Sequence, residues 1–304
     1  MVTPVEVSAI TNEESGSLNM VFQFEHMGLD SAPGGNGKWD YQPWRLADLK
    51  KVTSRWQYGL EGRGWNSLYL SNHDQPRSVS RFGNDGPYRV ESAKLLGTFN
   101  QMLQGTPYIY QGEEIGMTNV RFESITDYQD IESLNMYREA VEKVGLDPRS
   151  VLEKIHIKGR DNARTPFQWN IRSQAGFTTG TPWIKVNPNY HSINAEQALA
   201  DPDSIFHYYQ KLIQLRKAHP IIVYGKYDLI LEPHEQIFAF TRTLGDERLL
   251  VILNFSSEPS SFDLPAEISY QQHALLIGNY AVDPGQEPRQ FILQPYEARV
   301  YQFF

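Results

Sequence analysis

Between Trp65 and Glu114 the chain reads as strand, helix, strand. "WNSLYLSNHD" and "TPYIYQGEE" are β-rich runs that each end in a cluster of polar and charged residues. Between them, in "VESAKLLGTFNQMLQG", Leu95, Leu96, Phe99, Met102 and Leu103 follow helical spacing until Gly105 and Pro107 break it. This alternation predicts an α/β fold with a parallel sheet and helices on its faces, and such sheets carry function at the C-terminal ends of their strands. Asp74, in "SNHDQPR", falls at such an end. A further strand is predicted in "LNMVFQFEHM", residues 18–27, where Met20, Phe22 and Phe24 alternate with Val21, Gln23 and Glu25.

Downstream the grammar changes twice. Residues 113–200 are rich in Gly, Asn, Asp, Thr and Pro with little periodicity, which predicts a long functional loop region with short helices. "DPDSIFHYYQKLIQLRKAHP" then begins with capping residues Asp203 and Ser204, sets Ile205, Tyr208, Leu212 and Leu215 on one face, and stops at Pro220. Beyond it, "QIFAFTRTLGDERLLVILNFSS" reads as a hairpin around Gly245 and Asp246, and "EARVYQFF" as a closing strand. The expected division is an α/β portion over residues 1–222 and a small all-β sandwich over 223–304.

Composition narrows the function. A net charge of -8 argues against nucleic acid, whose phosphates call for basic patches. With no cysteine, a disulfide framework and thiolate metal sites are ruled out, which fits a cytoplasmic location. No apolar run approaches the roughly 20 residues of a membrane helix, so no membrane partner is expected. Aromatics make up 12%, including 17 tyrosines and 6 tryptophans, which suit carbohydrate faces as well as a core.

The chemistry-bearing residues are few. Asp74 follows His73 at a strand end, where a carboxylate can bind the hydroxyls of a sugar, assist a proton transfer, or cap the next helix. "GRDNARTPFQW" gathers Arg160, Asp161, Asn162 and Arg164, either as an ion-pair cluster that ties loop to framework or as ligand contacts. Glu113 and Glu114 are adjacent, so they point apart and suit structural roles. His26 and His73, each at a strand end, are placed to contact a ligand. No zincin spacing, EF-hand loop or Walker sequence occurs, so neither a metal nor a cofactor is expected.

Taken together, "MVFQFEHM", "SNHDQPR", "TPYIYQGEEIGMTN", "DIESLNMY" and "RDNARTPFQW", in this order, closely resemble the oligo-1,6-glucosidase group of glycoside hydrolase family 13. The resemblance runs from about residue 6 to the last strand. It implies the C-terminal half of a (β/α)8 TIM barrel, strands about five to eight, followed by the sandwich. It also implies retaining hydrolysis of terminal α-1,6 or α-1,4 bonds in a short oligosaccharide such as isomaltose, without a cofactor. On the motif matches, His73 and Asp74 hold the hydroxyls of the cleaved sugar, with Asp74 the third carboxylate of the catalytic set. Arg160 and Arg164 match two loop arginines near the sugar, and Glu132 a carboxylate of the neighbouring subsite. "TPVEVSAITNEES" aligns so that Glu6 takes the place of the general acid, with Val5 where the family has glycine.

The family's nucleophile lies in a "GFRxD"-like strand-four motif, and no such motif occurs in these residues. The calcium loop of some relatives also has no counterpart. An isolated chain of this sequence is therefore expected to be inactive, and a complementary N-terminal fragment is the expected protein partner. Trehalose-6-phosphate hydrolases, dextran glucosidases and sucrose isomerases share most of these motifs. A reading of another class is a truncated, non-catalytic, sugar-binding remnant.

Overall fold

A computed structural model describes residues 2–35, 37–283 and 285–304. Three extended stretches lie parallel and side by side: Val21 bridges Asn66, and β1 (Ser67–Leu68) pairs with β2 (Thr106–Pro107). Helices separate them in sequence. After α1 (Pro4–Thr11), α2 (Leu46–Leu60) lies between the first and second stretches. α3 (Ser78–Phe82) and α4 (Arg89–Gln101) lie between the second and third. The predicted strand–helix–strand order is therefore present, with ladders much shorter than the apolar runs. In the 18–27 segment only Val21 bridges, and Phe22 and Phe24 remain about half exposed at 45% and 53%.

The start of the chain departs from expectation. "TPVEV" does not lead out of a strand; it opens helix α1. Thr3 Oγ1 accepts from the Glu6 amide, Glu6 Oε2 accepts from the Thr3 amide at 2.7 Å, and Pro4 takes the first helical turn. This reciprocal cap satisfies two otherwise orphaned amides, and it outweighs the β preference of the valines.

Loop-rich sequence from 113 onward folds as anticipated into short pieces: α5 (Ile131–Tyr137), α6 (Pro148–Lys158), α7 (Asp161–Arg164) and α8 (Ala195–Ala200). α9 (Ile205–Ala218) starts where Ser204 caps the His207 amide, and α10 (Pro220–Tyr224) restarts at the proline that ended it. α9 packs on α4 across Gly97, where a Cβ would lie 2.8 Å from the Tyr209 ring.

A five-stranded antiparallel sheet closes the chain, in the order β3 (Lys226–Ile230), β4 (Ile237–Leu244), β5 (Glu247–Asn254), β9 (Ala298–Phe303), β7 (His273–Gly278). The hairpin expected at Gly245 and Asp246 joins β4 to β5, with Gly245 at φ 59°. One face, through Phe238, Phe240, Val251 and Val300, shares a core with Leu95, Phe99, Ile221 and Ile222. Its other face, through Ile237, Leu250, Ile252 and Phe303, is covered by a second sheet of β6 (Ser260–Asp263) and β8 (Gln290–Leu293), through Phe262, Phe291 and Leu293. With both faces covered, β4 and β5 are nearly continuous apolar runs rather than alternating ones. The helical and sheet-rich portions thus meet in one continuous core.

Candidate active site

β1 runs out at Leu68, and the chain turns at Asn72, whose Oδ1 accepts the Asp74 amide at 2.8 Å. That turn aims Asp74 away from the following helix. Arg77 is the N-cap of α3, and no side chain caps it, so Asp74 is not a helix cap.

What meets Asp74 instead is α7 and the residue before it. Arg164 Nη2 donates to Asp74 Oδ1 at 2.7 Å, and Arg164 Nε to the His73 carbonyl at 2.9 Å. Arg160 Nη1 reaches the same Oδ1 at 3.4 Å. The His73 ring lies 3.2 Å from Oδ2, and no arginine takes that oxygen. Arg160 also forks onto Asp130 Oδ1, from Nε at 3.0 Å and Nη2 at 2.6 Å, and lies 3.2 Å from Glu132 Oε2. Lys38 Nζ completes the cluster, 2.6 Å from Glu132 Oε2.

The five residues that the motifs nominated, His73, Asp74, Glu132, Arg160 and Arg164, are thus in one network. Glu6 is not among them. Its carboxylate is fully exposed and bound to Thr3, whose backbone and side-chain hydrogen bonds hold its pKa below the usual value. A general-acid placement needs a raised pKa and a position beside the sugar; the capping box supplies neither. His26 also departs from expectation. It is buried, its Nε2 donating to the Tyr69 carbonyl at 2.8 Å and its Nδ1 accepting from Gln23 at 3.0 Å. Burial pushes its pKa down to about 4, so it is a neutral core residue. Glu113 and Glu114, expected from their adjacency to be structural, both bond to nearby residues of the fold. Ser71 Oγ donates to Glu113 at 3.0 Å, and Glu114 accepts the Gly112 amide at 2.7 Å.

Two members of the network carried no decisive local signal. Asp130 is buried: desolvation works to raise its pKa, but the Arg160 hydrogen bond and charge outweigh that and hold it below the usual carboxylate value. Its backbone is pinned by Asp161, whose Oδ2 accepts the amides of Gln129 and Asp130 at 2.7 and 2.9 Å. In sequence Asp130 looks like the N-cap it also is, since its side chain accepts from the Glu132 amide. Lys38 sits in a glycine-rich loop 94 residues from its partner, a separation no local pattern spans.

The cluster sets carboxylates of different duty side by side. Asp130 is consumed by arginine, whereas the Asp74 side chain is 43% and that of Glu132 39% exposed. Carboxylates held by cations at an open mouth accept hydrogen bonds and present fixed negative charge. Among the described residues no group of three His, Asp or Glu side chains could hold a metal ion, and no helix is long and apolar enough to cross a membrane.

Comparison with known families shows where the chain belongs. The model of the α-amylase catalytic domain matches residues 2–225, and that of the maltogenic amylase C-terminal domain residues 227–300. The chain belongs to glycoside hydrolase family 13, the α-amylase family. This family 13 chain is 65% identical over 300 residues to the oligo-1,6-glucosidase of Parageobacillus thermoglucosidasius and 60% identical to that of Bacillus cereus. Each match covers 99% of the chain and 53% of the relative, so the chain spans about half the length of the relatives it matches. Among solved structures, the trehalose-6-phosphate hydrolase of Bacillus licheniformis superposes with a TM-score of 0.95 at 48% identity, over 99% of this chain and 54% of that one. The isomaltulose synthase of Klebsiella sp. LX3 superposes at 0.92 and 37% identity, over all of this chain and 54% of that one.

Proposed function

We propose that the chain supplies one half of a retaining α-glucosidase acting on terminal α-1,6 bonds of short oligosaccharides such as isomaltose. The observation that carries this is Asp74, held through Oδ1 by Arg164 and Arg160 while Oδ2 faces only His73 at a half-exposed mouth. In this reading His73 and Asp74 hold hydroxyls of the cleaved sugar, Arg160 and Arg164 fix the carboxylate, and Glu132 borders the neighbouring subsite. Asp74 also offers negative charge to the oxocarbenium-like transition state. The parallel stretches at Val21, β1 and β2 are consecutive strands of the α-amylase barrel, the α/β portion runs over 1–222, and the sandwich over 223–304. The trehalose-6-phosphate hydrolase and isomaltulose synthase likenesses keep those substrate classes as alternatives within the same site.

No nucleophile motif occurs in these residues, so a covalent glycosyl intermediate requires a complementary N-terminal portion. The partner is therefore a fragment that carries the nucleophile. The test is hydrolysis of p-nitrophenyl α-glucoside and isomaltose by the chain alone and after co-expression with the first half of a relative such as the Parageobacillus enzyme. The chain alone should show no turnover. In the co-expressed pair, Asp74→Asn should lower kcat by about 10²–10³-fold. A soluble pair with no activity, or an Asp74→Asn pair as fast as wild type, would overturn the proposal.

A further inference from the structure

Asp74 and its arginines come from different parts of the chain, and something must hold those parts in register. Arg77 is 1% exposed and lies behind the site, touching none of its open oxygens. Its amide donates to Asn119 Oδ1 at 2.9 Å. Its Nε donates to the Asn162 carbonyl at 2.8 Å, Nη1 to the Gln111 carbonyl at 2.5 Å, and Nη2 to Thr165 Oγ1 at 3.3 Å. Gln111 belongs to the turn after β2, Asn162 lies in α7, and Thr165 caps the C-terminal end of that helix. Arg77 itself ends the turn that carries Asp74.

The surroundings are built around this guanidinium. At Gly112, with φ +93°, a Cβ would lie 2.7 Å from Arg77 Nη1, so only glycine admits the close approach. Tyr110 lies 5.8 Å from the guanidinium carbon and donates its hydroxyl to the Ala163 carbonyl at 3.0 Å. Asn119 Nδ2 donates to the carbonyls of His156 and Ile157, at 3.1 and 3.3 Å, which carries the link into α6. Burial lowers the Arg77 pKa to about 10, opposed by Tyr110, Glu113 and Glu114, so the charge persists at neutral pH. A buried cation is costly to desolvate, and an apolar side chain in its place would leave the oxygens it serves without a donor.

We infer that Arg77 is a positioning residue, whose guanidinium sets α7 against the Asp74 turn so that Arg164 and Arg160 meet Asp74 Oδ1. The inference rests on the sugar-site reading for its purpose but not for its test. In the isolated chain, the Arg164 Nε–H is held by the His73 carbonyl, so its exchange with solvent, followed in nitrogen-15 spectra, reports the register directly. Arg77→Met should speed that exchange at least about tenfold, and Arg77→Lys should restore part of the protection. Arg242→Lys, which alters a buried guanidinium bonded instead to Met102, Ile222 and Gly225, should leave it unchanged at comparable loss of stability. If Arg77→Met fails to fold, Thr165→Val removes one of the three contacts at constant shape and should give a smaller acceleration. Unchanged Arg164 exchange in the folded Arg77 variant, or in Thr165→Val where that is the variant available, would overturn the inference. So would equal acceleration in Arg242→Lys. None of these outcomes depends on whether the chain binds a sugar.

Discussion

Two buried side chains with displaced pKa values, Glu113 and His26, have opposing effects on stability. Burial pushes the Glu113 pKa up to about 7, against the hydrogen bonds from Ser71 and Tyr110. The folded state therefore retains a proton that the unfolded chain releases near pH 4.5. The stability this confers is complete below that pH and is lost as the pH rises toward 7. His26 has the opposite sign: its folded pKa of about 4 lies below its usual 6.5, so stability is complete above 6.5 and is lost as the pH falls toward 4. The two slopes overlap and partly cancel. Glu113→Gln should expose the His26 slope, raising stability at pH 8 relative to wild type by about 3 kcal/mol while leaving pH 4.5 nearly unchanged. Urea titrations at pH 4.5, 6 and 8 check this, and an unaltered pH profile would show that Glu113 titrates normally.

At the scale of elements, the helix layer is locked to the sheets by close contacts and by cations on carbonyls. Gly97 in α4 meets Tyr209 of α9 with no room for a Cβ. Gly97→Ala should gain helix propensity yet lose about 1–3 kcal/mol through the forced displacement of the ring, measured by urea unfolding. Arg242, on β4, donates to Met102, Ile222 and Gly225 carbonyls, which tie the ends of α4 and α10 to the sheet. Arg242→Met should cost about 3 kcal/mol or more, because the buried carbonyls lose their donor. Thermal denaturation of this variant beside Arg77→Met would separate the two anchors: both melt earlier, and only Arg77→Met disturbs Arg164. Lys50 does similar work on α2, its Nζ donating to the carbonyls of Leu231, Glu232 and His234.

On the scale of the whole molecule, the aromatic rim beside the Val21 stretch is the conspicuous exposure. Phe22 and Phe24 pack edge-on against Tyr69, and Phe22 also lies 4.8 Å from Tyr108, while Phe22, Phe24 and Tyr108 all remain open to solvent. Contiguous apolar surface next to short parallel ladders favours association. The isolated chain should bind the dye ANS and self-associate in light scattering. Co-expression with the complementary portion should suppress both, and a monomeric, dye-silent chain would count against the half-barrel reading.

Local chemistry made much of this legible in advance. Helical spacing from Val90 to Leu103, the Ser204 cap, the Gly245 turn and the closing β9 strand are all set by side-chain periodicity and backbone preference, which neighbours along the chain already contain. The clustering of His73, Asp74, Glu132, Arg160 and Arg164 followed from long family motifs. The family alignment put Glu6 at a strand end, whereas in this chain Thr3 and Glu6 close a capping box, a pairing the alignment does not contain. Strand lengths were overestimated because a β-run forms a ladder only where a partner lies beside it. Tertiary structure alone brought Lys38 to Glu132, buried His26 away from the site, and placed Arg77 between three segments. These outcomes depend on contacts 34 to 94 residues apart in sequence, whose energies come from desolvation and hydrogen-bond geometry that no local window contains.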